Sequence, residues 1–166
     1  MFCKSTLAVI ALLIVGALTV TGEEKMNLAK PAKEPGSWRL EQHETAKADM
    51  APEGDAIVIT IKEVSGTDWH VQAVQTNLKM AEGKEYVLSF KAKASSDRNM
   101  PVNAMVDQED WHTIGLTETA EVTTDWKDFK YEFKAEGVSK EKNRISLVLG
   151  GEKGKVWIKD IQLIAK

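Results

Sequence analysis

The chain has 166 residues, 43% of them hydrophobic and 28% charged, with a formal net charge of −3. Length and balance fit one globular domain with one core and exclude a disordered chain. Lys and Glu are interleaved throughout instead of forming a basic stripe, so nucleic acid is not an expected partner.

Met1-Phe2-Cys3-Lys4 places a positive charge ahead of the apolar run Leu7 to Val20, and Val20-Thr21-Gly22 supplies the small residues that a signal peptidase reads. Residues 1–22 are therefore expected to be a signal peptide cut after Gly22, since the run falls short of the ~20 residues of a spanning helix. The exported protein would be secreted, periplasmic or in the cell envelope, and no membrane partner is expected after cleavage. Cys3, the one cysteine, leaves with the leader, so the mature domain would hold no disulfide. Residues 23–36, with Pro31, Pro35 and almost no large apolar side chain, read as a flexible spacer clear of the core. The folded domain is expected over 37–166.

Trp38 and Leu40 open that domain as a short strand, and Met50 to Asp55 reads as a turn cluster. Ile57, Ile59 and Ile61 alternate with Val58, Thr60 and Lys62 as a strand. In the next one, Trp69 to Gln75, Trp69, Val71, Ala73 and Gln75 share one parity, and His70, Gln72 and Val74 the other. After a turn at Gly83, the longest clean alternation in the chain puts Tyr86, Leu88, Phe90 and Ala92 on one face of a strand and Ser89, Lys91 and Lys93 on the other. Met100 to Asp107 alternates again, with Pro101 suited only to its start or an edge.

Gln108 to Glu121 reads as a long connection, which in a compact domain is often functional. Phe129, Tyr131 and Phe133 form the next strand and Ile145, Leu147 and Leu149 another. The last changes parity between Ile158 and Ile161, which calls for a bulge near Lys159-Asp160 or for cover on both faces. Trp38, Trp126 and Trp157 are expected in the core or at its edge. About eight to nine short strands at intervals of roughly ten residues, with no helix, predict an all-β fold, a two-sheet antiparallel β-sandwich.

The mature chain has His43, His70 and His112, no Cys and no G-x-S-x-G turn, so nucleophilic catalysis finds no support and no catalytic residue is assigned. Asp107, Glu109 and Asp110 keep glycoside hydrolysis as a lesser reading, although acids in one loop are poorly placed to flank a scissile bond. Trp69, Gln72, Gln75, Asn103, Gln108 and Trp111 make the constellation expected to bind a sugar: pyranose C–H groups stack on aromatic faces, and hydroxyls pair with planar amides. Each has a plainer alternative, Trp69 and Trp111 as core anchors and Gln72 and Gln75 as solvated strand positions.

The ordered series W-x-x-Q at Trp69, G-x-x-Y-x-L-S-F-x-A-x-A from Gly83, T-x-x-W-K-x-F from Thr123, L-G-G at Leu149 and a final strand resembles the carbohydrate-binding modules of the 4/9/22 type that accompany secreted glycoside hydrolases. The resemblance runs from about Trp38 to the C-terminus. It implies a jelly-roll, galactose-binding-domain-like sandwich without catalysis that binds a polysaccharide such as a β-glucan, xylan or mannan, with a separate glycoside hydrolase as a partner. It places Trp111 as a cleft-wall aromatic and Asn103 as a polar cleft residue. Several relatives carry a Gln where Val148 stands, so the usual β-glucan specificity is in question. Family members often hold a structural calcium through an Asp-Asp pair in the last strand; Lys159-Asp160 stands there, leaving Asp160 as the single metal candidate and no cofactor expected. The rival reading is a structural or adhesion sandwich of the cell envelope with no sugar site.

Overall fold

The computed structural model describes residues 25–108 and 110–166. The expected signal peptide therefore lies outside the described residues. The described chain forms ten strands and one 3-10 turn, Asp68–His70. They are β1 (Arg39–Gln42), β2 (Lys47–Glu53), β3 (Ala56–Glu63), β4 (Val71–Gln75), β5 (Glu85–Ala94), β6 (Arg98–Val106), β7 (Thr113–Val122), β8 (Lys127–Lys134), β9 (Asn143–Val148) and β10 (Gly154–Ala165).

Two five-stranded sheets result, β1-β4-β9-β6-β7 and β2-β3-β10-β5-β8. Every named pairing is antiparallel. The sheets face each other as an all-β sandwich, because period-2 strands with one apolar face must bury that face against another sheet. Tyr86, Leu88, Phe90 and Ala92 of β5 meet Val102 and Ala104 of β6, Ile145 and Leu147 of β9 and Ile158 and Leu163 of β10 in one buried core. The parity change in β10 is a register shift between Lys159 and Gln162, with Asp160 left-handed at φ 53°. That bulge lets Ile158 and Leu163 both point inward.

Three expectations about organisation are corrected. The stretch read as a turn from Met50 is the second half of β2, an edge strand paired with β3 alone, where Pro52 is tolerated because no second partner needs its missing N–H. Most of the presumed long connection 108–121 is β7, whose Ile114, Leu116, Ala120 and Val122 face inward. Gly115 and the Thr-rich outer face hid that alternation. Residues 25–36 are not a spacer clear of the core: Ala29 and Ala32 are buried in it. The Leu28 N–H donates to the Leu163 carbonyl at 2.8 Å, and the Asn27 carboxamide accepts from the Leu163 N–H at 2.8 Å.

Trp38 is buried as expected, but Trp126 is not a core residue; it is 37% exposed. It stands outside the second sheet with the ammonium groups of Lys93 and Lys159 at 5.2 and 4.7 Å from its ring centre. Lys93 also lies 5.0 Å from the ring centre of Trp157, so these rings are shielded by lysines instead of by the core.

Candidate functional site

The outer face of the first sheet carries a groove of about 490 Å³. Its floor follows from register. Gln72 of β4 lies between Glu41 of β1 and Val148 of β9, Ser146 lies opposite Asn103 of β6, and Arg144 lies opposite Met105. Because β9 is antiparallel to both β4 and β6, those two run the same way, and the turn before β4 and the loop after β6 stand at opposite ends of the strands. Trp69 sits on the first and Trp111 on the second, and both line the groove. They are 50% and 46% exposed, unlike the core aromatics.

Trp69 is mounted by backbone packing. Gly150 donates its N–H to the Asp68 carbonyl at 2.8 Å and Leu149 donates to the Val71 carbonyl at 2.8 Å. A side chain at Gly150 would meet the Asp68 carbonyl at 2.4 Å, so the first Gly of L-G-G is there to let the Trp69 turn seat against β9. The Gln72 amide donates to the Trp69 carbonyl at 2.9 Å while its oxygen accepts from the Ser146 hydroxyl at 2.5 Å. His70 meets the Trp69 ring edge-on at 4.2 Å between centres, and His43 lies at 5.4 Å.

Trp111 stands on a tight loop in the left-handed region, φ 49°, uncommon for a bulky residue and held only where the surroundings impose it. Its N–H donates to the Gln108 carbonyl at 2.9 Å, and the next carbonyl, of His112, accepts from Val106 at 3.0 Å. The His112 ring spans the Asp110 carboxylate at 2.8 Å and the Gly137 carbonyl at 2.7 Å. Acceptors at both nitrogens, the Gly137 carbonyl foremost and then Asp110, raise its pKa above the ordinary value. Beneath the indole, the Arg144 guanidinium lies 4.7 Å from the ring centre.

An ion network closes the floor. Arg39 donates to both oxygens of Asp107 at 3.0 and 2.8 Å, and Arg144 donates to Glu41 at 3.1 Å and to Asp107 at 3.3 Å. Arg39, followed by Arg144, holds the Asp107 carboxyl below its usual range, and Asp110 is lowered by His112. A hydrolytic acid needs a carboxyl held protonated near neutrality, the opposite shift. Glu109 lies outside the described residues.

The family profile of a carbohydrate binding domain, CBM_4_9, matches residues 32–154. The chain belongs to this carbohydrate-binding family. Among solved structures, a carbohydrate-binding module of the CBM4 type is 24% identical with a TM-score of 0.72, over 84% of this chain and 92% of that one. The N-terminal cellulose-binding domain of β-1,4-glucanase C from Cellulomonas fimi is 16% identical with a TM-score of 0.62, over 81% and 92%. A CBM22 xylan-binding domain from Paenibacillus barcinonensis is 12% identical with a TM-score of 0.53, over 84% and 90%. At these identities the likeness is one of fold. No curated protein sequence matches significantly.

Within this carbohydrate-binding domain, Trp69, Gln72, Asn103 and Trp111 come together on the groove. Gln75 does not. It is 1% exposed, and its amide accepts from the Lys30 N–H and donates to the Lys30 carbonyl, both at 2.9 Å, an imitation of strand pairing that ties down the N-terminal segment. Gln108 has an exposed side chain that is not part of the groove lining; its contribution is the carbonyl that shapes the Trp111 turn. Asp160 faces Lys91 at 3.7 Å, and the neighbouring Lys159 pairs with Asp55 at 2.9 Å. Among the described residues no three His, Cys, Asp or Glu gather as a metal site.

Glu41, His43, Met105 and Arg144 also line the groove, outside the six residues named for the sugar site. The parity of Met105 and Asn103 was readable in β6, and Arg144 shares parity with Val148; Glu41 lies on edge strand β1 and His43 just after it, and the placement of that strand is a tertiary matter. Val148 does face the groove, opposite Gln72, so at this one position the floor is apolar.

Proposed function

We propose that the protein is an exported, non-catalytic carbohydrate-binding domain that takes a polysaccharide chain along the groove, stacking sugar rings on Trp69 and Trp111 and hydrogen-bonding through Asn103 and the polar floor. The observation that carries this reading is the pair of half-exposed indoles at opposite ends of one groove. Large aromatic surfaces left open to water on a folded domain mark a binding site, and flat rings above an amide-bearing floor suit the alternating C–H and O–H faces of sugars. Among the described residues, Asp107 and Asp110 beside Trp111 are committed to Arg39, Arg144 and His112, which supports binding without hydrolysis. Export follows from residues 1–22, and the mass of the exported protein should correspond to a start at Glu23.

Affinity electrophoresis on β-glucan, xylan and mannan tests the reading. Trp111→Ala and Trp69→Ala should each weaken retardation about tenfold or more, a contact of roughly 1–3 kcal/mol by analogy with aromatic hot spots, while melting close to wild type. Retardation of wild type on no polysaccharide would refute the reading and favour a structural role in the envelope.

A further inference from the structure

Arg144 uses only half of its guanidinium. Its side chain is 4% exposed, and Nη1 meets Glu41 and Asp107. On the other edge Nε is buried with no hydrogen-bond partner, and Nη2 meets only the Met105 sulfur, at 3.9 Å, among the described residues. A thioether is a weak acceptor, so this edge of a buried cation lacks an oxygen. Buried donors without acceptors are costly, the more so when charged.

Planarity of the guanidinium makes the vacant edge specific. Nε–H and one Nη2–H point the same way, side by side, at the spacing of the two oxygens of a carboxylate. A single hydroxyl satisfies only one of them. Met105, which borders this edge, also lines the groove, and an unbranched thioether side chain can swing aside at small cost. Among the described residues, the acids that meet Arg144 are Glu41 and Asp107, and both are held on the opposite side by Arg39 and Arg144 together, so the open edge is the positive one.

We propose that the groove selects glycans that carry a uronic acid, the ligand carboxylate taking the Nε–Nη2 edge of Arg144 beside Trp111. This rests on the groove being the glycan site. Arg144 would then act as a specificity residue, with Trp69 and Trp111 supplying sequence-tolerant stacking along the chain.

The test compares one polymer with and without its charge: glucuronic-acid-substituted xylan, and the same xylan with its carboxyls reduced to alcohols. Wild type should bind the acidic form at least about tenfold more tightly, the gain of a charge-assisted hydrogen-bond pair. Arg144→Lys keeps the positive charge but not the planar fork, and should weaken binding of the acidic form more than that of the reduced form, removing most of that difference. Equal affinity of wild type for the two xylans overturns the uronate assignment and leaves glycan binding standing, as does binding confined to neutral β-glucan or mannan. Failure to bind any of these polymers overturns both. Should Arg144→Lys melt early, the wild-type comparison of the two xylans still decides.

Discussion

Gln75→Ala separates a structural glutamine from a binding one. Gln75 points away from the groove and closes two 2.9 Å hydrogen bonds on the Lys30 backbone. At about 0.5–1.5 kcal/mol net for each, their loss should cost about 1–3 kcal/mol. The lower half of that range is expected if water reaches the exposed Lys30 backbone, and the upper half if the segment lifts and uncovers Ala29 and Ala32. For a chain of this size that is a fall in Tm of roughly 2–12 °C. Thermal melts beside limited proteolysis check it: the variant should melt early and be cut within 25–36, with glycan affinity unchanged at a temperature where it is folded. A normal melt with intact protease resistance would refute the strapping role, and a normal melt with lost affinity would return Gln75 to the site.

His112 should make binding depend on pH. Its folded pKa is raised, so its hold on Asp110 and the Gly137 carbonyl is complete below the ordinary value near 6.5 and is lost as pH rises through the raised folded value, where a neutral ring can donate from one nitrogen only. Affinity measured from pH 6 to 9 should fall across that window in wild type and stay flat in His112→Ala; a flat wild-type profile would count against the latch. Trp38→Ala should cost roughly 3–5 kcal/mol as a buried ring, whereas Trp126→Ala should cost about 1 kcal/mol, the scale of an exposed cation–π contact; equal losses in denaturant melts would contradict this assignment of core and surface. Lys91 and Lys159 beside Asp160 and Asp55 lead to the expectation that a chelator leaves Tm unchanged, and a drop of several degrees would reveal calcium bound there.

Sequence alone determined the sandwich, because apolar alternation in β3, β5, β6 and β9 can be buried only by pairing two such faces, and that pattern survives any choice of neighbours. It also carried the difference between Gln72 and Gln75: three residues apart in a strand, they lie on opposite faces, so both could not reach one groove. The indoles flanking β4 and β6 were legible as Trp residues next to polar ones. What the tertiary structure decided is everything that depends on strands distant in sequence. Edge strand β2, Lys-Ala-Asp-Met-Ala-Pro-Glu, is rich in residues of low strand propensity and gains its place from its partner β3. Residues 25–36 are anchored by Gln75 and Leu163, contacts between groups far apart in the chain. Arg144 reads as a solvated cation in its local sequence and becomes the buried floor of the groove only when β1 brings Glu41 and the Trp111 loop folds over it. A charge is buried when distant partners balance it, and no local pattern records which partners those will be.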